Sequence, residues 1–273
     1  MKRKNLLVAV SAIMLGVACT TKNPFTGQNN LNFVSNDQLF PSAFAQYRQF
    51  LSENKVVTGT ADAKRVESVG IKIKNAAEKY LASIGQTDYL KGYAWEYKLV
   101  DDKAINAWCM PGGKIVVYTG ILPVTKDDAG LATVMGHEVA HALANHGAQR
   151  MSAAQLQQLG AAGVAVATGG QSESTQQIAM QAYGAGSNVL GMLPFSRKHE
   201  NEADMIGIKL MAIAGYNPDN ALLFWQRMSA ASGGGAPPEI LSTHPSDGTR
   251  IANIRKLIPQ AKAEAKKFGV TFK

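Results

Sequence analysis

Apolar residues recur every three or four positions in several segments of the chain, and this spacing predicts helices. The segment 61–84 shows it clearly, and Gly85 is well placed to end that helix. The segment 127–145 shows it as well, with Asp127 and Asp128 where a first helical turn favours acids. Further helices are predicted over residues 152–167, 176–193, 198–213, 218–228 and 246–257.

Alternation and strand-forming residue types mark a smaller part of the chain as β-structure. Residues 95–100 alternate in type, and residues 105–110 and 114–119 flank Pro111-Gly112-Gly113. This order predicts a strand, followed by two strands joined through a tight glycine turn. The chain is therefore expected to be mainly helical with a few strands.

The composition is that of a globular protein, with 46% hydrophobic and 18% charged residues in 273. Its start differs: Lys2, Arg3 and Lys4 precede an apolar run over residues 6–17. That run is too short for a membrane span and predicts a signal peptide over residues 1–18. Its removal would lower the formal net charge from +8 to +5. No cluster of basic and aromatic residues follows, so a nucleic-acid partner is not expected.

Cys19 ends the apolar run and resembles the lipidated cysteine of bacterial lipoprotein signals. Gly16 stands where that signal usually has leucine, so cleavage by ordinary signal peptidase, leaving a free thiol, is the alternative. Thr20, which is not aspartate, points to the outer membrane by the rule for such signals. Residues 19–36 are then a lipidated tether or extended arm, and Cys109 is expected to be a free, packed thiol.

The run His137-Glu138-Val139-Ala140-His141 carries the clearest chemistry in the chain. Histidines four apart lie on one helix face, where both imidazoles can bind one ion, and Glu138 lies within reach of a water on it. Zn²⁺ suits imidazole and carboxylate ligands, so zinc is the predicted cofactor. The alternative is a pair of histidines on an ordinary polar surface.

A third zinc ligand is expected downstream. Glu200 and Asp204 are four apart, so Glu200 can bind the ion while Asp204 accepts a hydrogen bond from the far nitrogen of a ligand imidazole. Glu202 lies about 200° around the same helix and is expected to be a solvated or salt-bridged acid. His146 is off the ligand face and is expected to be structural or on the surface.

Four motifs together resemble the M48 zinc metallopeptidases, especially bacterial periplasmic lipoprotein members and the related mitochondrial inner-membrane peptidase. They are residues 106–113 (Asn-Ala-Trp-Cys-Met-Pro-Gly-Gly), the His-Glu-Val-Ala-His run, residues 200–204 (Glu-Asn-Glu-Ala-Asp), and His244-Pro245 with Arg250 beyond. The resemblance implies an α+β, mainly α fold. It would be a single zincin-like peptidase domain over residues 37–273, with a small mixed sheet at the cleft.

The resemblance also implies roles for individual residues. Glu200 is the third zinc ligand beside His137 and His141, and Asp204 supports a ligand imidazole. His244 is either a fourth, self-inhibitory ligand or a transition-state contact. Arg250 either supports the oxyanion or braces the loop. Extended substrate is expected to pair with a cleft-edge strand formed by Asn106, Ala107, Trp108, Cys109 and Met110.

The expected reaction is hydrolysis of peptide bonds in unfolded or flexible polypeptides, with Glu138 as the base. The expected location is the bacterial periplasm, on the outer membrane, with envelope assembly or protease complexes as candidate partners. Two alternatives remain open. One is a chaperone-like outer-membrane assembly factor whose zinc site is plugged and rarely active, and the other is an exopeptidase.

Overall fold

The computed structural model describes residues 20–231, 238–244 and 248–272. The predicted signal peptide, Cys19 and Pro245 lie outside the described residues. The strands are β1 (Thr20–Lys22), β2 (Asn29–Leu31), β3 (Val56–Val57), β4 (Glu96–Val100), β5 (Ala107–Met110) and β6 (Lys114–Tyr118). The helices are α1 (Asn36–Glu53), α2 (Ala61–Ser83), α3 (Leu122–Thr125), α4 (Asp128–Leu143), α5 (His146–Thr168), α6 (Glu173–Ser187), α7 (Leu193–Ile213), α8 (Asp219–Ala231), α9 (Glu239–Thr243) and α10 (Gly248–Lys267). The α+β, mainly α class is thereby confirmed.

The described chain forms two compact units. The first comprises residues 20–35 and 146–198, and the second comprises residues 36–145 and 199–272. Their division beside residue 36 coincides with the predicted end of the arm. Residues 146–198, which the sequence assigned to the single domain 37–273, group with the arm.

In the first unit, β1 and β2 pair antiparallel, with Thr20 opposite Leu31. Strand β2 packs on α5, and the amide of Phe33 donates a hydrogen bond to Ser152 Oγ at 2.9 Å. Helices α5 and α6 pack against each other as a hairpin. Among the described helices, none combines the length and apolarity that a membrane span requires.

In the second unit, a four-stranded mixed sheet has the order β3-β4-β6-β5. Strands β4 and β6 are parallel, and the other two pairs are antiparallel. The turn between β5 and β6 contains Gly112 and Gly113, with φ of 83° and 87°. A Cβ at Gly113 would also lie 2.7 Å from the Trp95 ring, so both conformation and space call for glycine. The predicted strand–turn–strand unit is confirmed.

Helix α4 is the central helix of this unit. Every residue from Gly130 to Leu143 is buried, because the helix packs against α2, α8 and β5. The sequence predicted an apolar stripe with a polar face, whereas the helix is enclosed on all sides. Its polar residues must therefore find partners within the protein.

Both ends of α4 are fixed by side chains. At the start, the Asp127 carboxylate accepts a hydrogen bond from the amide of Gly130 at 2.7 Å, as an N-cap. At the end, the Tyr89 and Tyr93 hydroxyls donate to the carbonyls of Leu143 and Ala142 at 2.6 and 3.1 Å. These contacts fix both ends of the helix that carries the His-Glu-x-x-His run.

Candidate metal centre

Helices α4 and α7 cross at a pair of glycines beside the predicted ligands. A Cβ at Gly136 would lie 2.9 Å from the carbonyl oxygen of Gly207, and one at Gly207 would lie 2.8 Å from the amide nitrogen of His137. The two backbones are therefore in direct contact. This close approach brings the side chains of α7 next to the histidines of α4.

Four side chains bring potential metal ligands together, namely those of His137, His141, Glu200 and His244. His137 Nε2 lies 3.1 Å from His141 Nε2 and 3.2 Å from Glu200 Oε2. His141 Nε2 lies 3.4 Å from Glu200 Oε1. His244 Nδ1 lies 3.0 Å from both oxygens of Glu200 and 3.3 Å from His137 Nε2. The sequence placed three of these residues around one ion, and the structure brings all three together with His244.

This donor set fits zinc. Ligand atoms about 2.0–2.2 Å from a tetrahedral Zn²⁺ are separated from one another by about 3.3–3.6 Å. The separations of 3.0–3.4 Å between the donor atoms given above lie close to that range. Three imidazoles and one carboxylate are also the ligand types that zinc prefers.

Asp204 and Arg250 orient His137. Asp204 Oδ1 lies 2.9 Å from His137 Nδ1, on the ring side opposite the cluster. Arg250 forms a two-point contact with Asp204, from Nε to Oδ2 at 2.8 Å and from Nη2 to Oδ1 at 2.7 Å. Its guanidinium also lies over the Trp225 ring, 3.5 Å from the centroid. A carboxylate held in this way fixes the imidazole tautomer that directs Nε2 at the cluster.

His244 follows α9 and is held through its backbone. Its amide donates to the carbonyl of Ile240 at 2.8 Å, and its carbonyl accepts from Arg250 Nη1 at 3.3 Å. The His244 side chain is 12% exposed, against 2% for His137. His244 is thus the ligand candidate nearest to solvent.

Glu138 lies on the cluster side of α4 but outside the four-donor set. Its Oε1 is buried, makes no hydrogen bond among the described residues, and lies 3.7 Å from His244 Nε2. A buried carboxylate oxygen that lacks a hydrogen bond is costly and marks a group reserved for a ligand or a reaction. This is the position expected for a base beside the cluster.

Burial, hydrogen bonds and neighbouring charges together shift the pKa values of the centre. Burial and the Arg250 charge oppose protonation of His137, yet its hydrogen bonds to Asp204 and Glu200 raise its pKa to about 9. Burial alone would raise the pKa of Glu200, but hydrogen bonds from His137 and His244 hold it well below its usual value. For Asp204, the Arg250 charge outweighs burial and lowers the pKa. Both carboxylates are therefore anionic, as ligation and support require.

The predicted substrate strand lies at one edge of the sheet. Residues Ala107–Met110 form β5, which pairs with β6 alone among the strands that the structure describes, and which packs against α4. Asn106 directly precedes it and accepts a hydrogen bond from the amide of Ala107 through its side chain. Trp108 packs against Phe50 with ring centroids 4.9 Å apart. Cys109 is a free thiol, as expected, and burial raises its pKa well above the usual value.

For two polar residues the structure decides between alternatives that the sequence left open. Glu202 is only 4% exposed, which excludes a solvated acid but not a salt-bridged one; its charge contributes to the raised pKa of Tyr89. His146, at the start of α5, is fully buried, which agrees with a structural role and not with a surface position. The helical angle placed Glu202 away from the ligand face, but it could not show that this other face is packed as well.

Sequence reasoning missed Trp225 and the pair Gly136 and Gly207. Trp225 is 1% exposed and contacts both His137, at 5.7 Å between ring centroids, and Arg250. The available signal was that Gly136 directly precedes the first histidine and Gly207 lies three residues after Asp204. Nothing in the sequence marked Trp225, because its neighbours come from other segments.

Comparison with known proteins agrees with this geometry. A model of peptidase family M48 matches residues 71–258. Mitochondrial metalloendopeptidase OMA1 of Schizosaccharomyces pombe is 32% identical over 244 residues, which cover 88% of this chain and 67% of that protein. Its Saccharomyces cerevisiae counterpart is 34% identical over 204 residues, covering 72% and 56%.

A bacterial relative is also similar. The β-barrel assembly-enhancing protease of Escherichia coli K12 is 31% identical over 166 residues, which cover 59% of this chain and 34% of that protein. The matches thus span from about a third to two thirds of the length of these relatives. With more than half of the chain matched by the family model and the four-donor centre in place, the chain belongs to peptidase family M48.

Proposed function

We propose that this protein is a zinc-dependent endopeptidase that cleaves unfolded or misassembled proteins of the bacterial envelope. The observation that carries the proposal is the convergence of His137, His141 and Glu200 on one point. Beside this point, Glu138 presents a buried oxygen that makes no hydrogen bond among the described residues. Two imidazoles, a carboxylate and an adjacent base are the parts that metal-assisted hydrolysis needs.

Each residue has a separate task in this reaction. Zinc, when bound, supplies a Lewis acid for the scissile carbonyl and lowers the pKa of the attacking water. Glu138 accepts the proton of that water and returns it to the leaving amine. Asp204 holds His137 in one tautomer, and Arg250 holds Asp204.

The free edge of β5 supports the choice of substrate. An extended polypeptide can add to this edge through backbone hydrogen bonds, which select for an unfolded segment rather than for particular side chains. Only a flexible or misfolded chain offers such a segment. Peptides with both ends blocked test the endopeptidase assignment, since an exopeptidase would leave them intact.

The place of action is inferred from two features. The Escherichia coli relative is named for enhancing β-barrel assembly, which is an envelope process. Cys19 follows the pattern of a lipidated cysteine, and Thr20 favours the outer membrane. Labelling with a radioactive fatty acid, with Cys19→Ser as the control, tests the anchor, and membrane fractionation tests the periplasmic location.

The experiment for the activity measures zinc content and casein hydrolysis of the purified protein, with and without a chelator. We expect about one zinc ion per chain, and hydrolysis that the chelator removes and zinc restores. Glu138→Gln should keep the zinc and lower hydrolysis at least about 10²-fold, since the base is lost. Undiminished cleavage by this variant would show that Glu138 is not the base.

The position of His244 favours a second candidate function, that of a chaperone-like assembly factor. His244 Nδ1 lies within the donor cluster, 3.0 Å from Glu200, where it would occupy a fourth ligand position. A site closed in this way turns over rarely. His244→Ala should then raise casein hydrolysis. If Glu138→Gln still rescues outer-membrane protein assembly in a deletion strain, the assembly role does not depend on proteolysis.

A further inference from the structure

The hairpin of α5 and α6 is almost without charge. Between Arg150 and Arg197, the only charged residue is Glu173. None of the described side chains of α6 is buried, and after Ser152 none of α5 is buried. The hairpin therefore exposes to solvent a long helical surface that lacks the charged residues usual for exposed helices.

The two helices pack closely at Gly160 and are joined by side-chain hydrogen bonds. A Cβ at Gly160 would clash with Tyr183, whose hydroxyl donates to the carbonyl of Gln157 at 2.9 Å. Gln157 Nε2 donates in turn to Ser187 Oγ at 2.8 Å. Close packing at Gly160 and these hydrogen bonds therefore contribute to the contact between the two helices.

Large apolar side chains of both helices point outward. On α5, Leu156, Leu159 and Val166 are 46%, 68% and 84% exposed. At 100° per residue they lie within about 80° of one another around the helix, so they form one stripe. On α6, Ile178 is 67% exposed. An exposed apolar stripe of this kind marks an interaction surface.

Charge argues for the kind of partner. Protein partners that assemble reversibly usually present a polar, charged rim around an apolar centre. Between Arg150, near the start of α5, and Arg197, this hairpin offers Glu173 alone for such a rim. The lipid boundary of a membrane buries an apolar helix face directly, while the polar face of the same helix stays in water.

The N-terminal arm gives a second, independent argument. Thr20, which directly follows the expected lipidation site Cys19, begins β1, and the neighbouring β2 packs on α5. Arm and hairpin belong to one compact unit. A lipid attached at residue 19 would therefore hold this unit at the bilayer surface.

We propose that the stripe Leu156–Leu159–Val166 of α5 docks on a phospholipid bilayer, lying in its interface rather than crossing it. The hairpin thus adds a second point of membrane contact to the lipid anchor. This inference rests on the proposed lipid anchor at Cys19, and the apolar contact of the stripe adds to the attachment that the anchor gives. Because the stripe carries no charge, docking depends on apolar contact and not on anionic lipid.

Tryptophan placed on the stripe tests this directly. The full-length chain carrying Val166→Trp or Leu159→Trp is reconstituted with phosphatidylcholine vesicles whose acyl chains are brominated, because bromine quenches nearby indole. The wild type, with its native tryptophans, gives the background. Gln158→Trp is the matched control, since residue 158 is exposed on the same helix but lies about 115° from the middle of the stripe.

We expect brominated lipid to reduce the emission added at residues 166 and 159, and to leave that added at residue 158 nearly unchanged. Anionic phosphatidylglycerol should not increase the effect. The proposal is overturned if the chain floats with the vesicles while residues 166 and 159 escape quenching, which would indicate a protein partner or a second copy. It is also overturned if quenching requires anionic lipid, or if the chain does not float with vesicles.

Discussion

At the scale of single residues, Arg250 is a positioning group. Its guanidinium binds Asp204 at two points, donates to the carbonyl of His244 and lies over Trp225. With these contacts it holds the backbone of His244 and the carboxylate beside His137 together. A planar group with fixed donors suits this task better than lysine would.

The two acids of α7 make a matched pair for testing the third ligand. Glu200→Gln should lower zinc content sharply, because Glu200 offers both carboxylate oxygens to the cluster. Glu202→Gln should retain zinc, since Glu202 is equally buried but outside the donor set. Metal analysis of the two purified variants checks this. Zinc loss in Glu202→Gln alone would show that Glu202, and not Glu200, is the third zinc ligand.

The sequence could predict His137 with His141, and Glu200 with Asp204, because a spacing of four residues places each of these two pairs on one helix face. It could not decide between the two roles open to His244, nor between the two open to Arg250. Their positions depend on the return of a distant segment to α4, which no local pattern records. The sequence also left open whether Glu202 and His146 are buried, since their burial depends on what packs against their helices.

At the scale of elements, the contact between α4 and α7 sets the distance between the ligand-bearing segments. Gly207→Ala should destabilise the protein by about 1–3 kcal/mol and reduce zinc content, because the added methyl meets backbone atoms that cannot rotate away. Chemical denaturation and metal analysis measure both effects. In Gly184→Ala, where nothing lies within 4 Å of the new methyl, stability should be unchanged or slightly higher.

Tyr89 and Tyr93, whose hydroxyls donate to the last carbonyls of α4, should limit the stability of the protein at alkaline pH. Burial raises the pKa of Tyr93 well above 10, and burial likewise raises the pKa of Tyr89, so the folded state favours the neutral hydroxyl of both residues. Their contribution to stability is complete below pH 10, the usual value, and declines as the pH rises towards the folded pKa.

Denaturation measured at pH 8 and at pH 10.5 tests this. The unfolding free energy of the wild type should fall between the two values. In Tyr89→Phe/Tyr93→Phe, which cannot ionise at these positions, it should fall by less. An equal fall in both proteins would assign the alkaline limit to other groups.

The periodicity of apolar residues predicted where helices and strands lie better than it predicted what packs against them. The helix over residues 61–84 and the strands on either side of the glycine turn were confirmed within two residues. Helix α5 begins six residues earlier than predicted, and α10 continues ten residues further. The enclosure of α4 could not be predicted, because its apolar stripe is the same whether one side or all sides are covered.

At the scale of the whole molecule, a bound metal would join three distant parts of the second unit. The donors come from α4, from α7 and from the residue after α9. Removing zinc should therefore lower the melting temperature, by an amount that grows with the zinc concentration used in the holo sample. Calorimetry with and without chelator checks this, and Glu200→Gln should show little difference between the two conditions.

The division into units was only partly predictable. An arm over residues 19–36 was predicted from its polar composition, whereas the first unit joins this part of the chain to residues 146–198. That residues 146–198 associate with the arm rests on contacts between segments more than a hundred positions apart, such as Phe33 with Ser152. Whether residues 37–273 act as one peptidase domain stays a prediction.

The glycine contact also limits how this protein can evolve. When a bulky residue appears in most packed cores, a smaller residue opposite can compensate. At the crossing of α4 and α7 the opposite position is already glycine, so no substitution there can make room. Selection for suppressors of Gly136→Ala or Gly207→Ala should accordingly return true revertants at the altered codon, and none at its partner.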